Sequence, residues 1–234
     1  MPTPSINVVA LVCSSCTSRL SGDWNDRVFF CTDCFEAYEI SGSSLERVQL
    51  LEAVMPPLGG ENIRLVRLPV WVFDVETEFI ECSEKQLRLA SGFKGPGKVF
   101  VPAFRMTARG FYGDAGVSLT RGWYFGRIKG EEIPIKMQAS KLRPLEGCEI
   151  GSVTAADFVE HTLLSVIDPV VDVTGLKISA VVRKKAMVSV PFRICSEKSV
   201  GCMNLRDEFP LHSILCLKSK KNPDIGGGEP IPGA

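Results

Sequence analysis

The chain has 234 residues, and its 27 Lys plus Arg balance its 27 Asp plus Glu, so its formal net charge is zero. Hydrophobic residues make up 45% and charged residues 23%, values that exclude a disordered chain, a collagen-like chain and a strongly basic nucleic-acid coat. The neutrality is a sum of unlike parts. Residues 1–60 hold three arginines against seven acids, a net −4, whereas residues 176–221 hold ten cations against three acids, a net +7.

The first residues, Met1-Pro2-Thr3-Pro4-Ser5, carry none of the marks of a secretion signal, and no apolar run of about 18 residues occurs. The expectation is a cytoplasmic protein with no transmembrane segment, with peripheral attachment to a membrane left open. Residues 5–40 form a compact unit around Cys13-Ser14-Ser15-Cys16 and Cys31-Thr32-Asp33-Cys34, two Cys-x-x-Cys knuckles with 14 residues between them. Each knuckle turns two thiolates toward one point, and four thiolates in a tetrahedron suit zinc. Val8 to Val12 and Val28 to Phe30 lead into the knuckles as strands would, which is the layout of a zinc ribbon. The expected cofactor is one structural zinc per chain held by Cys13, Cys16, Cys31 and Cys34, with iron in a rubredoxin-like site as the alternative. Ribbons of both kinds usually carry a glycine after the second Cys of each knuckle. Thr17 and Phe35 stand there instead. The remaining five cysteines (Cys82, Cys148, Cys195, Cys202 and Cys216) are scattered and read as small apolar residues. An odd total without a secretion signal argues against a disulfide framework.

Residues 41–60 read as a linker with a short helix, because Leu45, Val48, Leu51 and Val54 recur near helical spacing before Met55-Pro56-Pro57. Residues 61–221 read as an antiparallel β-rich domain. Strands are expected at Ile63–Phe73, Glu78–Leu89, Val99–Ala108, Val117–Lys129, Ile133–Met137, 176–183, 186–195 and 211–218, separated by glycine turns. One substantial helix is expected at 154–167, capped by Thr154, burying Phe158, Val159, Thr162, Leu163 and Val166, and ended by Asp168-Pro169. The glycine-rich residues 222–234 read as a disordered tail. The fold class is therefore mainly β, of α+β type: a zinc ribbon followed by a β-rich domain. Val66-Arg67-Leu68-Pro69, Val99-Phe100-Val101-Pro102 and Val188-Ser189-Val190-Pro191 share one apolar-x-apolar-Pro pattern, which is either an internal repeat or coincidence in a valine-rich sheet.

Catalytic signatures are absent from the sequence: no Gly-x-Ser-x-Gly elbow, no phosphate-cradling loop and no His-Glu-x-x-His. The two histidines, His161 and His212, have no local partner suited to catalysis. Asp74, Glu76 and Glu78 alternate and share one strand face, which is either a solvated face, an acid/base pair or a divalent-ion site. Arg183-Lys184-Lys185 reads as a hairpin tip that either guards a sheet edge or meets an anionic partner. Nucleic-acid binding by the ribbon itself is disfavoured by its −4 charge.

The four-Cys ribbon followed by Leu68-Pro69-Val70-Trp71-Val72-Phe73-Asp74 resembles a loosely defined group of bacterial zinc-ribbon proteins, in which a ribbon precedes a β-rich domain with a Pro-x-Trp-x-Phe strand. Val101-Pro102-Ala103-Phe104 resembles a later strand of that group. The resemblance covers the ribbon and about 50 residues after it, and it implies an adaptor role, in some members near membrane-stress and membrane-scaffold proteins. The function expected is that of a zinc-stabilised, non-catalytic interaction or scaffold protein with a protein partner. The alternatives are nucleic-acid binding through the basic C-terminal surface and an enzyme or electron-transfer protein.

Overall fold

A computed structural model describes residues 9–54, 65–104, 112–129, 137–139, 145, 147–194, 199–202 and 208–210. The fold is mainly β, in two sheets with few helices. The first sheet is a four-stranded antiparallel meander of β1 (Leu20–Ser21), β2 (Val28–Cys31), β3 (Ala37–Ser41) and β4 (Ser44–Val48), in that order. It extends the ribbon past residue 40. A two-residue turn joins β3 to β4, with Ser41 opposite Ser44, and Gly42 supplies the positive φ of 59° that it needs.

The linker helix expected over 41–60 does not form. Residues 44–53 are two strands, β4 and β5 (Leu50–Ala53), and only Gln49 lies between them. The spacing of Leu45, Val48 and Leu51 fits a helix, but Val48 and Leu50 are buried in two different sheets, which a single helix could not do. Residues 55–60 lie outside the described residues.

The second sheet is built on two long strands, β6 (Leu65–Glu81) and β9 (Lys177–Ile194), paired antiparallel along almost their whole length. On the far side of β6 lies β7 (Gly95–Pro102). The other edge of β9 is shared by β5, which pairs with Met187–Ser189 in parallel, and by β10 (Ser199–Cys202). Beyond these lie β8 (Met137–Ala139) and β11 (Glu208–Pro210). The sheet is thus mixed rather than purely antiparallel. The segment Val70-Trp71-Val72-Phe73 is buried on both faces of β6, which explains its unbroken apolar run. The Trp71 indole N–H donates to the Ile150 carbonyl at 2.7 Å. The three Pro motifs lie at one level of three neighbouring strands, with Val70 opposite Pro102, Pro69 opposite Ser189 and Arg67 opposite Pro191.

Three strand expectations fail. Val117–Lys129 belongs to α2 (Tyr112–Lys129), the longest helix described, so the domain has more than one substantial helix. Gly113-Asp114 reads as a turn yet lies inside the helix, and at Gly116 a Cβ would come 2.5 Å from the Phe100 carbonyl oxygen, so that glycine serves close helix–strand packing. Part of the Glu78–Leu89 segment forms α1 (Glu84–Leu89), which opens with a capping box between Ser83 and Gln86. The expected hairpin at 176–195 is one continuous strand, so Arg183-Lys184-Lys185 is not a turn. The expected helix at 154–167 is split into α3 (Ser152–Ala156) and α4 (Val159–Ile167), and its cap is not Thr154. Val159, Thr162, Leu163 and Val166 are buried as expected. The strand expected at 211–218, His212, and the tail at 222–234 lie outside the described residues.

Candidate metal centre

The central strand β2 of the ribbon sheet is buried on both faces. Along β2, Val28 and Phe30 join the main core, while Phe29 and Cys31 pack with Cys13, Leu20 and Tyr38 in a second, smaller cluster. This is the period-2 alternation of a strand, used to serve two layers. The cysteines belong to the smaller cluster.

The two knuckles have the same backbone. In the first, the Thr17 N–H donates to the Cys13 carbonyl (2.9 Å) and the Cys13 N–H to the Ser18 carbonyl (2.8 Å). In the second, the Phe35 N–H donates to the Cys31 carbonyl (3.0 Å) and the Cys31 N–H to the Glu36 carbonyl (2.8 Å). Thr17 and Phe35 have φ values of 63° and 61°, the left-handed conformation that the customary glycine would supply. The missing glycines therefore changed the residue at each knuckle but not the turn.

Side chains repeat this symmetry. Ser15 Oγ donates to Glu36 Oε2 at 2.6 Å, and Ser18 Oγ donates to Asp33 Oδ2. The third position of each knuckle thus meets the sixth position of the other. Tyr38 Oη donates to Glu36 Oε2 at 2.6 Å and lies 3.4 Å from Cys13 Sγ.

All four sulfurs lie within 4.8 Å of one another and could hold a metal ion. Cys16 and Cys31 are 3.3 Å apart, Cys13 and Cys34 3.5 Å, and Cys16 and Cys34 3.7 Å. Four sulfurs at about 2.3 Å from a tetrahedral zinc would be about 3.8 Å apart, so the donor set fits. The separations are far too long for S–S bonds, and all four are free thiols.

The electrostatics suit a cation. Burial opposes ionisation of Cys13, but Tyr38 Oη and the backbone N–H groups of Cys16 and Ser15 outweigh it and bring the thiol down to about 6. The Ser18 hydroxyl and N–H lower Cys16. The Glu36 N–H favours the Cys34 thiolate, yet burial and the three neighbouring sulfurs prevail and push it up to about 12. Mutual repulsion limits how many sulfurs can ionise together, and a bound cation removes that limit.

The ribbon is tied to the main core through Glu39, which is 4% exposed. Glu39 Oε1 accepts from the Ser152 backbone N–H at the start of α3, and Glu39 Oε2 accepts from Ser152 Oγ at 2.6 Å. Lys185 Nζ completes the network, 3.1 Å from Glu39 Oε2 and 2.7 Å from Ser152 Oγ. The Arg27 N–H also donates to the Cys148 carbonyl at 2.7 Å. Glu39 carried no sequence signal, because its partners lie 113 and 146 residues away.

The basic triplet is therefore divided. Lys185 is committed to Glu39, whereas Arg183 and Lys184 line a cleft on β9 that also holds Asp74 and Glu76. Asp74 is ion-paired with Lys98 and sits opposite Lys184. His161 is exposed on α4 and does not line that cleft. Cys148 is buried in the main core and Cys82 packs at its border. Among the described residues no helix is long and apolar enough to cross a membrane.

Compared with known proteins, the chain matches no family model, no curated protein and no solved structure.

Proposed function

We propose that Cys13, Cys16, Cys31 and Cys34 hold one structural zinc ion, and that the protein is a zinc-stabilised, non-catalytic interaction or scaffold protein of the cytoplasm. The observation that carries the reading is the convergence of four sulfurs from two knuckles of identical backbone geometry. Four thiolates close the coordination sphere and leave no position for substrate or water, which is the arrangement of a structural site.

The metal stabilises a ribbon that presents apolar groups to solvent. Trp24, in the turn between β1 and β2, is 92% exposed, and Val12 and Phe35 are also exposed. Tryptophan is enriched at the energetic centres of protein interfaces, so Trp24 is the residue assigned to a protein partner. Membrane and nucleic-acid partners have weaker support, because Lys185 faces Glu39 rather than an external anion.

Elemental analysis of the purified chain is expected to give close to one zinc, and the double variant Cys13→Ser/Cys31→Ser to lose it. Stoichiometric iron with a red colour would refute the zinc assignment. The interaction role predicts that Trp24→Ala leaves folding and zinc content unchanged while abolishing capture of the native partner. Retained capture would move the interface elsewhere.

A further inference from the structure

β6 and β9 shift register twice, once between Phe79 and Glu81 and once between Asp74 and Val75. Asp74 lies opposite Lys184, but Val75 lies opposite Val182, so Arg183 has no partner on β6. This is a β-bulge. In a regular strand consecutive side chains point to opposite faces, and a bulge re-aims one of them. Here the consecutive residues Arg183 and Lys184 both line the same cleft, of about 400 Å³.

The rest of the cleft is charged on one side and apolar on another. Lys98, Asp74 and Lys184 form a row across β7, β6 and β9, with Asp74 accepting from Lys98 Nζ. Arg127, in the last turn of α2, is held from two sides. Its guanidinium lies over the Trp123 ring, 5.4 Å from the centroid, and its Nη1 donates to the Pro96 carbonyl. Four cations (Lys98, Arg127, Arg183 and Lys184) face the two carboxylates of Asp74 and Glu76, leaving a surplus of two positive charges. Trp123 and Pro96 form the apolar wall.

We infer that this cleft binds a small molecule bearing an oxyanion, as a phosphate monoester or a carboxylate, joined to an apolar group. Its volume lies in the range of small-molecule sites, and a few convergent polar groups beside an apolar wall are their usual composition. The paired guanidinium and ammonium groups match the geometry and charge of an oxyanion. Asp74 and Glu76 repel an extended polyanion, which separates this site from a nucleic-acid or lipid surface. The site is remote in sequence from the metal ligands and does not depend on the metal assignment.

The test uses the metal-loaded full chain and follows its tryptophan indole N–H resonances by NMR. The three indoles make an internal control: Trp71 is fully buried on β6 and Trp24 is in the ribbon turn, so only Trp123 borders the cleft. The probes are phenyl phosphate, benzoate and the neutral benzyl alcohol at constant ionic strength. Expected is a saturable shift of the Trp123 resonance alone, with phenyl phosphate or benzoate binding at about 1 mM or tighter and benzyl alcohol producing no shift. The stronger of the two anions identifies the oxyanion. The variant Arg183→Gln/Lys184→Gln, both of whose side chains are exposed, is expected to keep the wild-type unfolding midpoint and to bind about tenfold more weakly or worse. No saturable shift up to about 10 mM, equal binding by the double variant, or equal shifts at all three indoles would overturn the inference.

Discussion

The left-handed residues after each knuckle allow a direct test of the ribbon backbone. Thr17 is exposed, with φ at 63°, and its Oγ1 donates to the Cys16 carbonyl at 2.7 Å. Replacing it by Ala and by Gly removes that hydrogen bond in both cases, so the comparison isolates the backbone. A residue with a Cβ costs about 1–2 kcal/mol in the left-handed region. Glycine avoids this cost but loses about 0.5–1 kcal/mol through the greater freedom of the unfolded chain. Thr17→Gly is therefore expected to be more stable than Thr17→Ala by about 0.5–1 kcal/mol, the reverse of the order at an ordinary position. Folding of a small metal module is linked to metal binding, so the same difference should appear as an affinity ratio of about two- to fivefold in competition with a chromophoric chelator. Urea unfolding with metal in excess gives the independent measurement. An Ala variant equal to or more stable than the Gly variant would show that residue 17 is not held left-handed, and would remove the equivalence of the two knuckles.

Four further outcomes follow from packing and charge. Glu39→Ala unpairs the buried Ser152 N–H and takes the nearer carboxylate from Lys185, leaving it Ser152 Oγ and Glu46, so urea unfolding should show a loss of about 2–3 kcal/mol, reduced from the fully buried case by the partial exposure of Lys185. Lys177→Ala breaks an exposed pair with Glu81 and should change stability by less than about 0.5 kcal/mol in the same assay. At Gly97 a Cβ would lie 1.9 Å from Tyr124 Oη, so Gly97→Ala should lower the unfolding free energy by about 1–3 kcal/mol through overpacking. Burial, together with the charges of Asp23 and Glu149, raises the pKa of Asp26 despite the Asp23 N–H that its carboxylate accepts. The folded state thus holds the Asp26 proton more tightly than the unfolded state. Its contribution to stability is present at low pH and is lost as pH rises from the ordinary carboxylate value through the raised one. Asp26→Asn should accordingly raise the melting temperature at neutral pH, with the gain shrinking to nothing in acid below the ordinary value.

What the sequence revealed and what it concealed divide along physical lines. The knuckles were legible because metal ligation needs particular atoms at short, regular spacing. The apolar run at Val70–Phe73 and the buried face of Val159, Thr162, Leu163 and Val166 were legible because burial writes a periodic pattern. The helix at Tyr112–Lys129 was not, because Gly113-Asp114 imitates a turn and Gly116 answers to a neighbouring strand. Arg183-Lys184-Lys185 looked like a tip because half of β9 faces solvent, and an exposed strand carries the same residues as an exposed loop. The bulge that aims Arg183 depends on register with β6, about 110 residues away, which no local pattern records.

The strand β3 links the cysteine cluster to the main domain. Its side chains alternate between two layers. Tyr38 and Ile40 pack toward the sulfurs, with Tyr38 Oη next to Cys13, while Ala37 joins the main core and Glu39 reaches Ser152 and Lys185. Because successive residues serve opposite faces, β3 cannot shift register on one side without displacing the other. Cys31 ends β2, which pairs with β3 through Val28–Phe30, so the second knuckle is anchored directly to this strand. Disruption of the sulfur cluster therefore removes support from one face of a layer whose other face carries the buried Glu39 carboxylate paired with Lys185. The consequence is directional: disruption at the sulfurs should reach Ser152 and the start of α3 through β3, whereas the cleft at Arg183 lies on the β6 side of β9 and should keep its geometry.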